Sequence, residues 1–322
     1  MAWVTVPGSN GIWGYDNAAT ISNTYPDSAD GANSVIASGI RTYTSPYDGR
    51  TQQVYIRCRT VADSVERGEL YKGWYDNQSS LGDTVATIIN TVTDADTTLQ
   101  SWFDGSDSTK FVPSGPTDGD TFTQWTDKSN FAHNANPTGG ATTRPTYRAA
   151  VQNSKSVVRF DGTNDCLSIN PVAWAQSLSG MTIVTVSKFS NTSGTQTLTT
   201  TDLDDMGIFI DTNFKVTMAG ASADSSTAAD TAFHVHTLVF DGAGVGNAAR
   251  LVYRVDGSAK TLTFTGTVGS TTSASNGTIF LGCDDSAEFM NGDIGEFLIF
   301  NKALSGAEIS GVESYLTTKW GL

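Results

Sequence analysis

Basic residues are scarce in this chain, and none are clustered. Lys and Arg number 19 against 33 Asp and Glu in 322 residues, a formal net charge of −14. Binding to a nucleic-acid backbone needs a basic patch that neutralises phosphates. That class is excluded, and anionic membranes are disfavoured for the same reason. Cysteine is nearly absent. Cys58, Cys166 and Cys283 are odd in number and widely spaced, which rules out a disulfide framework or a zinc ribbon. Three reduced, buried thiols are expected. No apolar run approaches the roughly 18 residues that a membrane span needs, so no membrane insertion is expected. The opening residues MAWVTVPG have neither a basic nor an apolar signal region, so synthesis in the cytoplasm without a signal peptide is expected. Gly-x-Ser-x-Gly, P-loop and Cys-x-x-Cys motifs are all missing.

What is present suits strands and turns. Apolar residues make up 38% and aromatics 10%, and Gly, Ser, Thr, Asn and Asp supply much of the remainder. Residues 1–80 hold alternating β-formers around Gly/Pro turns. In QQVYIRCRTV, Val54, Ile56 and Cys58 face one way and Tyr55, Arg57 and Arg59 the other. This block reads as a small antiparallel β domain. Residues 81–98 place Val85, Ile88, Ile89 and Val92 at helical spacing behind Asp83, a short helix or a linker. From Leu99 to the end, short strand-like runs recur between turn residues: VVRF, CLSI, MTIVTVSKF, GIFI, FKVTMA, HVHTLVF, RLVYRV, TLTFTG, GTIFLG and IGEFLIF. Many short strands at this spacing predict a two-sheet antiparallel sandwich or jelly roll, so the chain is mainly β. Hairpins are expected in GIFIDTNFKVTMAG across Asp211-Thr212-Asn213 and in RLVYRVDGSAKTLTF across Asp256-Gly257, the second with TLTF in its return arm. The one clear helix is last. Ser305 and Glu308 form a capping box, and Ile309, Val312, Leu316 and Trp320 share one face before Gly321.

In order along the chain, LQSWFDGSD, FTQWTDKS, ATTRPTY, VVRFDGTNDCLSI, FHVHTLVFDG, YRVDG, NGDIGEFLIFNKALSGAEI and YLTTKWGL resemble the concanavalin A-like lectin/glucanase superfamily in its laminin G-like branch. The likeness covers residues 99–322 and implies a jelly roll. It does not imply one function, because the fold hosts lectins, glycanases, adhesion modules and structural domains. The opening AWVTVPGSNGIWGYDN is similar to the head region of virion proteins of marine phages. Together the two likenesses imply a virion structural protein. Its N-terminal domain would join other virion proteins or further copies as a homo-oligomer, and its jelly roll would be displayed as a tail fibre or capsid decoration. Cell-surface glycans are the expected partners. A ligand-free cement protein is the alternative, and a glycan hydrolase a third.

Calcium needs roughly six to eight oxygen ligands. Asp161, Asn164 and Asp165 put three side-chain oxygens within five positions. The resemblance adds Glu296, with Asp293 nearby, as the matching acid near the closing strand. Asp161, Asp165 and Glu296 are thus the candidate calcium ligands, calcium is the one cofactor considered, and the competing reading is that the two aspartates only shape a turn. Glycanases of the superfamily often carry their carboxyls on one strand as E-x-D-x-x-E, and no such run exists here. Asp202, Asp204 and Asp205 in one segment, and Asp284, Asp285, Glu288 and Asp293 in another, read as solvated loops. No catalytic residue is assigned, and the expectation is that the chain is not an enzyme. His234 and His236 share a strand face, where a structural role outweighs zinc because a third ligand is lacking. Trp125, Trp174 and Phe289 are the available aromatic platforms for a sugar, if exposed.

Overall fold

The computed structural model describes residues 98–285 and 287–322 in full, together with the backbone of four strands nearer the N-terminus. Two compact units divide the chain, Met1–Asp83 and Thr84–Leu322. In the first, β1 (Trp3–Thr5) pairs with β2 (Trp13–Tyr15), and β3 (Ala37–Thr44) pairs with β4 (Thr51–Cys58), both antiparallel. The strand predicted in QQVYIRCRTV is β4; the facing of its side chains, and the helix expected over residues 81–98, lie outside the described residues.

The second unit begins with β5 (Leu99–Asp104), β6 (Phe111–Val112), β7 (Gln124–Trp125), β8 (Ala135–Pro137), β9 (Thr146–Gln152), β10 (Lys155–Asp161) and β11 (Leu167–Ile169). Then come β12 (Gly180–Phe189), β13 (Gln196–Thr201), β14 (Met206–Asp211), β15 (Asn213–Met218), β16 (Ala221–Ala228) and β17 (His234–Asp241). It closes with α1 (Asn247–Arg250), β18 (Leu251–Val255), β19 (Ser258–Ala259), β20 (Thr263–Thr265), β21 (Ile279–Leu281), β22 (Asn291–Phe300) and α2 (Gly306–Trp320). Eighteen of these strands make two antiparallel sheets. The first runs β19-β18-β17-β12-β22-β10-β9, with β5 also paired to β22. The second runs β20-β16-β15-β14-β13-β21-β11-β8-β7-β6. The chain is therefore a mainly β sandwich with a C-terminal helix, as its pattern of short alternating strands predicted.

The core lies between the sheets, where Phe103, Trp125, Phe160, Ile183, Leu198, Ile208, Ile210, Leu238, Tyr253, Leu281, Phe297 and Ile299 are buried. The first sheet is buried on both faces. Its outer face meets α2, where Val184, Val186, Leu298 and Phe300 pack against Val312, Leu316 and Trp320. That second contact explains why β12 is buried along nearly its whole length rather than at alternate positions. The capping box at Ser305 and Glu308 is formed, and Gly321 ends the helix in the left-handed region at φ 68°. At Gly295 a Cβ would meet the Trp320 ring at 2.8 Å, so glycine lets the helix approach the sheet.

The turn at Asp211-Thr212-Asn213 joins β14 to β15 with Asp211 opposite Asn213. Asp256 and Gly257 both have positive φ, 50° and 74°, as the tightest hairpin turn requires. Only β19 follows that turn in the first sheet. The expected long return arm is corrected, because its TLTF run forms β20 and joins β16 in the other sheet. The expectation for the cysteines is corrected too. Leu167 pairs with Leu281 across β11 and β21, which brings Cys166 and Cys283 together with Cα atoms 5.4 Å apart, and their sulfurs are bonded.

Candidate functional site

On the second sheet the faces of β13, β14 and β15 follow directly from alternation. Ile208 and Ile210 point into the core, so Gly207 and Phe209 belong to the outer face. Cross-strand register then sets Thr200, Gly207 and Thr217 in one row and Thr197, Phe209 and Lys215 in the next. A bulge between Thr197 and Thr199 in β13 keeps Leu198 in the core while Thr197 and Thr200 both face outward. These residues floor a groove of about 340 Å³, whose rim carries Thr195, Asp204, Asp211, Asp284 and Glu288. That volume lies at the small end of ligand pockets. Gly207 keeps the floor open. A Cβ there would sit 2.9 Å from Thr217 Oγ1 and 3.3 Å from Thr200 Oγ1, so both hydroxyls converge over it.

The rim acids come from the two segments that read as solvated loops in the sequence. In the first, Asp202 accepts from the backbone N–H of Gly277 at 3.0 Å, and Asp205 from Ser273 at 2.7 Å and the Asn276 amide at 3.0 Å. Those two aspartates bind the 270–278 segment, which leaves Asp204 for the groove. In the second, the turn after β21 closes by paired backbone bonds between Asp284 and Ala287, 2.9 and 2.7 Å. Phe289 is half-buried against Cys166, Phe280 and Cys283, so the disulfide and this ring hold the turn on the sheet. Thr197 accounts for Glu288: its N–H donates to the Glu288 carbonyl at 2.8 Å and its hydroxyl to Oε2 at 3.2 Å. Burial raises the Asp284 carboxyl to about 6, and the charges of Asp204, Glu288 and Asp285 and a hydrogen bond with Asp204 add to the shift. The site can thus hold a proton between two carboxyls near neutrality, or attract a cation.

The three candidate calcium ligands stand apart. Asp161 ends β10, where its Oδ1 accepts from the N–H groups of Thr163 at 2.7 Å and Asn164 at 3.3 Å. Asp165 returns to the Asp161 N–H at 2.9 Å, and its carboxyl is pushed up to about 6, by burial first and by the Asp161 charge second. This is the local backbone bonding of a tight turn. Asp161 lies opposite Asn291, whereas Glu296 stands five residues further along β22, roughly 16 Å away at strand spacing. Glu296 faces α2 instead. It accepts from Trp102 Nε1 at 2.7 Å, Tyr315 Oη at 3.1 Å, Lys319 Nζ at 2.7 Å and Trp320 Nε1 at 2.9 Å. Asp293 is held by Arg159 through two bonds of 2.6 and 2.8 Å. Among the described residues no group of three His, Cys, Asp or Glu is arranged to hold a metal.

His234 lies between Asp256 and Asp230 at 2.6 and 2.9 Å, while His236 is buried with Nδ1 on Tyr253 Oη at 2.7 Å. Both are built into the sandwich. Of the aromatic candidates, Trp125 is fully buried, Phe289 packs on the disulfide and Trp174 stacks on His133 with centroids 5.0 Å apart. The ring that lines the groove is Phe209. Its signal was in GIFI, where a Phe between two core isoleucines must face outward.

No protein-family model and no curated protein matches the chain. Among solved structures it is similar to domain 4 of AbnA, an extracellular arabinanase of Geobacillus stearothermophilus, in complex with arabinotriose. The identity is 13% and the TM-score 0.47, over 67% of this chain and 98% of that domain. It is similar to Trypanosoma rangeli sialidase with sialic acid at 11% identity and TM-score 0.46, over 90% of this chain and 45% of the sialidase. The botulinum neurotoxin serotype D binding domain matches at 13% and 0.43, over 70% of this chain and 52% of that one. The chain thus spans about half the length of the latter two. At these values no residue role transfers. The expectation that the chain is not an enzyme is corrected, because the matched structures include an arabinanase domain and sialidases.

Proposed function

We propose that the sandwich is a carbohydrate-binding module and that the groove over Gly207 is its glycan site. The observation that supports this reading is the lining itself. Phe209 offers a half-exposed ring, Thr197, Thr200 and Thr217 offer hydroxyls, and carboxylates rim the opening. An apolar ring face beside convergent hydrogen-bonding groups fits the alternating CH faces and hydroxyls of a sugar. The resemblance of the opening residues to phage head proteins supports a finer placement, with the module displayed on a virion and the first 80 residues joining it to other virion proteins or to further copies. Many weak sites on a symmetric particle would then act by avidity.

A glycan array probed with multimerised protein tests the reading. Wild-type protein should bind, and Phe209→Ala should lose that binding while melting as the wild type does. Absence of binding to every glycan, or undiminished binding by Phe209→Ala, would overturn it. Mass spectrometry of purified particles tests the placement, which falls if the chain is missing from them. A second reading, cleavage of the bound glycan, is favoured by the Asp204–Asp284 pair, in which one carboxyl keeps its proton to about pH 6. A raised carboxyl beside a second carboxyl is an arrangement that glycosidases use for acid catalysis. Asp284→Asn would then abolish product release without abolishing binding.

A further inference from the structure

Three of the groove's four rim acids have no counter-ion among the described residues. Of its four rim acids, only Asp211 has a cation, Lys215 Nζ at 2.9 Å, and Asp224 lies 3.8 Å from the same ammonium. Asp204, Asp284 and Glu288 have no Lys, Arg or His partner among the described residues, and no basic residue lines the groove besides. The crowding is felt chemically, since Asp284 holds its proton far above the usual carboxylate range.

A second observation is independent of the acids. Thr200 is 5% exposed and its hydroxyl is directed over Gly207 into the groove. Its one contact is a long 3.4 Å approach to the Thr201 carbonyl, at the limit of a hydrogen bond. In that contact the hydroxyl donates, so its acceptor lone pairs are unpartnered in a buried position. A ligand that satisfies them must donate. Phe209 adds a ring face in the same cavity, and an aromatic face attracts a cation. Carboxylates, an open acceptor hydroxyl and a ring face together describe an ammonium site.

We propose, resting on the glycan reading above, that the groove selects a sugar carrying a protonated primary amine, such as an unacetylated glucosamine unit. The ammonium is placed among Asp204, Asp284 and Glu288, and the sugar ring over Phe209 and Gly207. Acidic sugars are repelled by the same rim. N-acetylation removes the charge and leaves the three carboxylates without a cation, which is the way a polar site rejects an analogue.

Calorimetric titration of the full chain near neutral pH tests this with glucosamine tetramer, N-acetylglucosamine tetramer, cellotetraose and calcium chloride alone. Glucosamine tetramer should bind at least about tenfold more tightly than the other two sugars. Asp204→Asn/Asp284→Asn/Glu288→Gln should erase that preference, and raised salt should reduce it. Equal binding of the neutral sugars would overturn the amine proposal and leave the glycan groove standing. Binding of none of the sugars would overturn both. Calcium binding that the triple variant loses, with no preference for the amine, would make the rim a metal site and also overturn the proposal. Glu288→Gln alone, at an exposed position, guards against a triple variant that fails to fold. It should lower the preference with an unchanged melting temperature.

Discussion

Glu296 shows what a single residue does when four donors close around it. Its carboxylate has no exposed surface and joins Trp102 of β5 and Tyr315, Lys319 and Trp320 of α2 to the middle of β22. Burial and the nearby Asp104 push its pKa up, and Lys319 and the Trp320 donor oppose them. Removing one partner from such a cluster leaves the others buried and unpaired. Glu296→Ala is expected to lower unfolding stability by roughly 3–5 kcal/mol, read from urea denaturation; a loss below about 1 kcal/mol would contradict the network. His234 gives a pH dependence. Each ring nitrogen meets a carboxylate, so the ring serves both only when doubly protonated, and its pKa is raised, above all by the bond to Asp256. Its stabilisation is full below the unfolded value of about 6.5 and is lost as pH rises through the higher folded value. His236, pushed down to about 3 by burial, stays neutral throughout. The stability gap between wild type and His234→Gln should therefore shrink from pH 5.5 to 8.5 in denaturation series. A constant gap would show that the ring does not titrate against its partners. Neither network was legible from spacing. The resemblance pointed to Glu296 as a calcium ligand, whereas the donors that close on its carboxylate lie 194, 19, 23 and 24 positions away, beyond any local pattern.

Elements were more legible than sites, because their signals are local. The terminal helix carried its cap, its apolar face and its stop within 17 residues, Ser305 to Gly321, and all three are in place. The Asp256-Gly257 turn was readable for the same reason, since few residue pairs accept positive φ twice. The destination of the strand after it was not, because choice of sheet is decided by packing and leaves no local mark. The contact of α2 with the sheet yields a prediction at this scale. Ser305→Ala removes one capping acceptor and should cost about 1 kcal/mol. Gly295→Ala places a methyl at 2.8 Å from the Trp320 ring and should cost about 1–3 kcal/mol as an overpacked core site. If Gly295→Ala unfolds at the wild-type midpoint, the helix does not pack where β22 places it.

Across the whole molecule, long-range pairing creates what no segment shows. Asp204 and Asp284 are 80 positions apart, and each sits in a sequence that by itself reads as a solvated turn. They meet over the outer face of the second sheet, Asp204 from the turn between β13 and β14 and Asp284 from the turn that follows β21, the other neighbour of β13. On its other side β21 pairs with β11, which joins Cys166 to Cys283 across 117 positions, a separation that hides the bond in a three-cysteine sequence. The bond therefore belongs to the groove as well as to the fold, for it anchors the turn bearing Asp284 and Glu288. Closing a loop of this length constrains the unfolded chain by about 4–5 kcal/mol in the chain-entropy account. Cys166→Ser/Cys283→Ser should lower the unfolding free energy by an amount of that order at most, read from urea denaturation. It should also weaken glycan binding more than a comparably destabilising change where β22 meets α2, such as Glu296→Ala, measured at a temperature where both variants are folded. Peptide mapping without reductant should find the two cysteines linked. Equal binding loss in the two variants would mean that the disulfide stabilises the sandwich without shaping the site.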